Sequence, residues 1–221
     1  MADKILGIGG AGNNIVSEIG DGCIAIDTDE IHLSKIGKVE KIAVKFETNV
    51  NGIIKLANES EKKVLSSIKG CERCFLIAGL GGTTGTNGIT LISRIARLNG
   101  SKTTAVVILP FKVEQKRVDL TKKEFSRILS CVDSLFVIKN DYLTKKMPNE
   151  TMINAFHKIG KIAASTIRQL QNSEFFEIYG LLEEKNDSNP SRQIKINVDS
   201  SENIFFGIYR KDELQNAVFR D

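Results

Sequence analysis

Apolar residues along the chain follow two rhythms. Short unbroken runs, such as Cys74-Phe75-Leu76-Ile77-Ala78, carry no polar interruption and predict strands covered on both faces. Longer stretches with apolar residues three or four apart predict helices with one buried face. The runs place strands at residues 4–8, 23–26, 39–46, 74–78, 103–109 and 132–138. The helical spacing covers a stretch ending at Ile19 and residues 53–68, 89–96, 120–129 and 151–171. Gly100 ends the helix at 89–96, and Pro110 stops the strand before it. Lysines interrupt the alternation at 39–46, which marks an edge strand. Strands alternating with helices predict an α/β fold, a mainly parallel sheet with helices on both faces and a long helix at 151–171.

Past that helix the pattern thins to strands at 194–198 and 204–209 and a short helix at 211–219. A stretch of this size cannot bury a separate core. The expected division is a domain over residues 1–171 and a short C-terminal appendage over 172–221, packed on it or extending its sheet. No internal repeat is visible.

Composition narrows the classes. Hydrophobic content of 41% supports a real core in 221 residues, enough for one large domain. A net charge of +4, with lysines spread along the chain, argues against general nucleic-acid binding. No apolar run is long enough to insert in a bilayer and no secretion pattern opens the chain, so a cytoplasmic protein is expected. Cys71 and Cys74 form a lone C-x-x-C, and His32 and His157 lack ligand spacing, so core packing in a reduced compartment is expected rather than a metal site.

The chemistry concentrates between the strand at 74–78 and the next helix, in Gly79-Leu80-Gly81-Gly82-Thr83-Thr84-Gly85-Thr86-Asn87-Gly88. Gly79, Gly81, Gly82 and Gly85 let backbone N–H groups converge where a Cβ would block them. Thr83, Thr84 and Thr86 add hydroxyls, and the following helix adds unpaired N–H groups with a partial positive charge. Such a turn suits phosphate. No Lys follows the last glycine, so it is not a Walker A loop. A second glycine turn, Gly7-Ile8-Gly9-Gly10-Ala11-Gly12, follows the first strand, and Asp27 ends the second strand. Those two features alone also fit a Rossmann-type NAD-binding unit.

The run at 79–88 resembles the glycine-threonine signature of the tubulin/FtsZ superfamily, with Thr83 and Asn87 in place of glycines. Other stretches resemble the same family. Asn14 stands where a family Asn reaches the guanine. Asp27-Thr28-Asp29 is similar to an Asn-Thr-Asp-like run. Pro110-Phe111-Lys112-Val113-Glu114-Gln115-Lys116-Arg117 resembles a loop whose Glu contacts ribose and whose Arg lies near the phosphates, although Arg117 comes one residue early. Val132-Asp133-Ser134-Leu135 leads to Asn140-Asp141, where the family Asn bonds the base. Ala155-Phe156 matches a pair whose ring stacks on guanine. The resemblance implies a nucleotide site that includes Gly9, Gly10, Ala11, Asn14, Asp27, Pro110, Glu114, Arg117, Asn140 and Phe156 beside the central loop. Lys161 occupies the place of an Asp that pairs with guanine N1 and N2. A lysine only donates, so it suits guanine O6 or another base's acceptor.

The family also carries a carboxylate loop that reaches the next subunit's nucleotide. Asn172-Ser173-Glu174-Phe175-Phe176-Glu177 fits its letters. Gly180-Leu181-Leu182-Glu183-Glu184-Lys185-Asn186-Asp187 fits the helix length and is preferred. Most of the family's second domain has no counterpart in residues 172–221. The resemblance therefore implies GTP or GDP as ligand, with Mg2+ allowed beside it, and weak or no GTPase activity alone. It implies a role in cell division, with the chain itself or a full-length FtsZ-like protein as partner. A nucleotide-free interaction module is the third reading, favoured by Lys161 and by the single glycine left in the loop at 47–52.

Overall fold

The computed structural model describes residues 3–146, 148–173, 177–185, 192–200 and 202–220. The first apolar run forms β1 (Asp3–Ile8) and passes directly into α1 (Gly9–Ile19). Then come β2 (Cys23–Asp27), the short α2 (Glu30–Lys35) and β3 (Glu40–Ala43). Asp29 caps α2, accepting hydrogen bonds from the N–H groups of Ile31 and His32.

A small hairpin follows, β4 (Phe46–Thr48) with β5 (Ile54–Leu56), paired antiparallel and separate from the main sheet. It divides the strand expected at 39–46 into β3 and β4 and removes the first turn of the helix expected at 53–68. The cause is local. Asn49 Oδ1 accepts from the N–H groups of Asn51 (3.0 Å) and Ile53 (2.9 Å), and Gly52 sits at φ +75°, so the chain turns back on itself. Helix α3 (Asn58–Ser67) begins only afterwards.

The main run continues through β6 (Arg73–Gly79), α4 (Thr83–Leu98), β7 (Lys102–Leu109), α5 (Gln115–Cys131) and β8 (Ser134–Lys139). Next come α6 (Asn140–Lys146) and the long α7 (Met152–Gln171). The chain closes with β9 (Tyr179–Glu183), β10 (Gln193–Asn197), β11 (Asn203–Tyr209) and α8 (Lys211–Phe219).

One nine-stranded sheet runs in the order β10-β11-β9-β8-β7-β6-β1-β2-β3. Neighbours from β3 to β9 are parallel, and β11 and β10 add antiparallel at the far edge. Each face has its own core. Val64, Ile89, Ile92, Phe125 and Leu214 bring α3, α4, α5 and α8 to one face. Ile15, Val16, Leu33, Ile162 and Ile167 bring α1, α2 and α7 to the other. Arg73 ties the foot of the sheet to the end of α7: it donates to both carboxylate oxygens of Asp3 and to the carbonyls of Gln171 and Ser173.

The later strands correct the preferred carboxylate loop. Gly180, Leu181, Leu182 and Glu183 lie in β9, between β8 and β11, where Leu181 and Leu182 are 4% exposed. Glu183 accepts a hydrogen bond from the Tyr209 hydroxyl, whose pKa is pushed up to about 12, first by burial and then by that bond. Apolar strand residues facing the core outweigh the charged letters that follow them. Glu174, Phe175, Phe176, Asn186, Asp187 and Pro190 lie outside the described residues.

The C-x-x-C lies at the start of β6, with Cys71 and Cys74 both buried and their sulfurs 3.2 Å apart. No helix of the described residues is long and apolar enough to cross a membrane.

Phe206 on β11 is fully buried and packs edge-on against Phe136 of β8, with ring centroids 5.2 Å apart. Phe206→Ala is expected to cost about 3–5 kcal/mol, within a single unfolding transition. Calorimetric melting checks this. A separate early transition, with the main one unmoved, would show instead that β9 to α8 unfold on their own.

Candidate functional site

The chain leaves β1 for β2 on one side and reaches β6 on the other, so β1 and β6 flank a point where strand order reverses. Crevices at such points, outside the carboxyl ends of the strands, are where α/β sheets bind ligands. Ile8 pairs with Ala78, so the two turns leave the sheet at one level.

Both turns are closed by backbone contact. A Cβ on Gly12 would overlap the carbonyl oxygen of Ile77, and one on Gly85 would overlap that of Gly79. A Cβ on Gly9 would come within 3.1 Å of the Gly85 nitrogen. Helices α1 and α4 therefore start side by side. Neither has a side-chain cap, and neither has an acid in its first turn. Their first N–H groups and partial positive charges converge, an arrangement suited to an anion.

The glycine-threonine run is shorter as a loop than its letters suggest. Only Leu80, Gly81 and Gly82 lie between β6 and α4, and residues 83–88 form the first turns of the helix. Thr86 is 1% exposed, and its hydroxyl accepts from the Gly81 N–H at 2.9 Å. The Thr84 hydroxyl meets that of Thr28 at 2.7 Å, and the Thr83 carbonyl accepts from the Asn87 amide. Gly81, at φ +89°, leaves a Cβ only 2.5 Å from Cβ of Arg117. Gly82 differs from them. Its φ is −101° and nothing lies within 4 Å of where its Cβ would be, so the fold gives no reason for a glycine there.

Beside these turns a cavity of about 590 Å³ opens between α1, α7 and the ends of β6, β7 and β8. Ala11, Asn14, Gly79, Pro110, Glu114, Arg117, Asn140 and Phe156 all line it. Asn140 is 5% exposed, and its Oδ1 has no hydrogen-bond partner. Glu114 accepts from the Phe111 N–H at 3.0 Å and from Arg117 Nη1 at 2.7 Å. That ion pair is exposed enough to be worth less than about 1 kcal/mol, so a ligand could replace it at little cost. Phe156 is half exposed and packs edge-on against Phe111.

Other sequence-derived candidates stand outside the lining. Gly9, Gly10 and residues 81–86 frame the adjoining turns. Asp27 is 4% exposed and committed internally: it accepts from the Asn13 amide and the Thr28 N–H and pairs with His32 at 2.9 Å. Lys161 is exposed on α7 and does not line the cavity, whereas its neighbour Gly160 does. The wall also includes Glu18 and His157, joined at 3.0 Å, which sequence reasoning missed. The available signal was the spacing of Glu18 four residues after Asn14, which sets both on one face of α1.

The family described as Tubulin/FtsZ family, GTPase domain, matches residues 4–148. The chain belongs to that family. The cell division protein FtsZ 2 of Methanocaldococcus jannaschii is 31% identical over 179 residues, covering 74% of this chain and 47% of that protein. Cell division protein FtsZ 1 of Thermococcus kodakarensis is also 31% identical, over 74% of this chain and 48% of its own length. The chain thus spans about half the length of the curated relatives it matches. Among solved structures, an empty FtsZ dimer from M. jannaschii superposes with a TM-score of 0.65 at 26% identity, over 76% of this chain and 54% of that one. CetZ from Methanosaeta thermophila, at 16% identity and a TM-score of 0.62 over 78% of this chain and 54% of that one, shares the fold.

The two kinds of glycine in this FtsZ-family chain can be separated by stability alone. Gly85→Ala forces a Cβ into backbone and should cost at least about 1–3 kcal/mol. Gly82→Ala should cost under about 1 kcal/mol, the scale of a weakened helix start. Thermal melts of the two variants check this, and equal losses would refute the distinction.

Proposed function

We propose that this chain binds a guanine nucleotide, GTP or GDP, with its phosphates at the paired starts of α1 and α4 and its base toward Asn140 and Phe156. The observation that carries this reading is Asn140, which lines the cavity and whose buried side-chain oxygen has no partner of its own. Leaving such a group unpaired costs about 1–3 kcal/mol, which a donor on a bound base would recover. Family membership supports the same ligand. Mg2+ would come with the phosphates.

The NAD-binding reading is weakened by Asp27. Its carboxylate is taken up by Asn13, His32 and the Thr28 N–H, which leaves little of it for a ribose.

We infer slow hydrolysis, or none, by the chain alone. Neither Glu183, held in β9 by Tyr209, nor Glu184, paired with Lys146 at 2.8 Å, is free to activate water. Water activation needs a carboxylate held in place against the nucleotide, and loss of position alone can cost orders of magnitude in rate. The role proposed is a cytoplasmic one in cell division, with a second copy or a longer FtsZ-like protein as partner. Its basis is the relatives, which are cell division proteins.

Titration calorimetry with GDP, GTP and NAD tests the binding. The wild type should take GDP and GTP and not NAD. Gly82→Val fills the open space at the start of α4 and should weaken both guanine nucleotides at least about tenfold. Equal affinities in wild type and variant would refute the phosphate assignment. Phosphate release with GTP and Mg2+ tests the second inference, and brisk turnover would overturn it.

A further inference from the structure

One wall of the cavity has no role in the reading so far. Ala11 lies against the central turn, where a Cβ on Gly79 would come within 2.8 Å of Ala11 Cβ. Seven residues further along α1, about 10 Å by helix rise, Glu18 lies against α7. That is the separation between the phosphates and the base edge of an extended nucleotide. Glu18 Oε1 takes His157 Nδ1 at 3.0 Å, while Oε2 lies 3.0 Å from where a Cβ on Gly160 would stand. Glycine at 160 is what lets the carboxylate sit against α7. Glu18, His157 and Gly160 all line the cavity, as do Asn14 and Phe156. Glu18 keeps 36% of its side-chain surface exposed.

We propose that Glu18 is the specificity-determining residue of this site, accepting hydrogen bonds from the base edge so that guanine is taken and adenine refused. The proposal rests on the nucleotide reading of the cavity. An ionised carboxylate only accepts. Guanine offers it two adjacent donors, the N1–H and the N2 amine. Adenine presents an unprotonated N1 there, which a carboxylate repels. The ring of Phe156 supplies a face for stacking any base, so it gives affinity without choice. The choice falls to the polar group at the edge, because a site built around a hydrogen bond rejects the analogue that lacks it. His157 is a positioning residue that holds the carboxylate through Oε1. Lys161, exposed and off the wall, has no part in it.

Calorimetric titration of the full chain with GDP, IDP and ADP tests this in wild type, Glu18→Gln and Gly160→Ala. IDP keeps the N1–H and lacks the N2 amine, so wild type should rank GDP above IDP above ADP. GDP should exceed ADP by at least about tenfold, the scale of a hydrogen bond to a charged group. Glu18→Gln should weaken GDP about tenfold or more while leaving ADP within about threefold. Gly160→Ala displaces the carboxylate and should shift the same ratio in the same direction. A clamp between helices with no contact to base would change melting temperature and leave the GDP:ADP ratio unmoved, and that result overturns the proposal. Equal GDP and ADP binding by wild type would also overturn it while leaving the nucleotide reading intact. A wild type that binds none of the three defeats both.

Discussion

The structure depends on a close approach. Two helices start against the backbone of two adjacent parallel strands, with no space for a side chain at Gly12 or Gly85. Packed interiors do not yield to an added methyl without shifting their neighbours. The lean of α1 and α4 on the sheet, the level of the two turns and the convergence of their uncapped starts are consequences of that contact. It also explains why the central run divides into unlike halves. Gly81 and Gly85 are bound by backbone or neighbour sterics, Thr86 by a hydrogen bond to its own loop, and Gly82 by nothing in the protein. A residue that the fold leaves unconstrained, at the one open point among constrained ones, is where a ligand's demand would show.

Much of this was legible in the chain. The unbroken apolar runs became β1, β2, β6, β7 and β8, because a strand covered on both faces must be apolar throughout. The spacing at 151–171 became α7, and residues 211–219 became α8 to the residue. The misses share a cause. At 39–68 the helical spacing of Ile54, Leu56 and Ala57 was accidental, and a turn made by one Asn side chain and one glycine overruled it. At 180–183 a strand carried letters that resembled a loop, because burial by β8 and β11 is a tertiary fact that no local window contains.

The same division runs through the cavity. The side proposed for phosphate is made of main chain, and main-chain requirements leave a mark in sequence as glycine. That is why the turns after β1 and β6 could be found without a structure. The side proposed for the base is made of side chains: Asn140 at the start of α6, and residues of α1 and α7, where Glu18 and His157 are nearly 140 residues apart in the chain. Nothing in the order of residues says that Glu18 and His157 meet, or that Gly160 is small because a carboxylate lies over it. Asp27, at the end of a strand, shows a side chain the fold already uses: it holds Asn13 and His32.

This asymmetry bears on how such a site can change. A phosphate cradle of backbone N–H groups has few alternatives, since most substitutions there collide with carbonyls. A base pocket of side chains can move its polar group from one helix to another, provided the vacated position becomes small enough to admit the newcomer. In this chain the acid is on α1 and the glycine that makes room for it is on α7. Lys161, one residue beyond that glycine, is exposed and lies off the cavity wall, so under the Glu18 proposal it would carry no part of the base recognition. Selectivity would be kept by a different residue in the same cavity, and the motif that usually announces it would no longer do so.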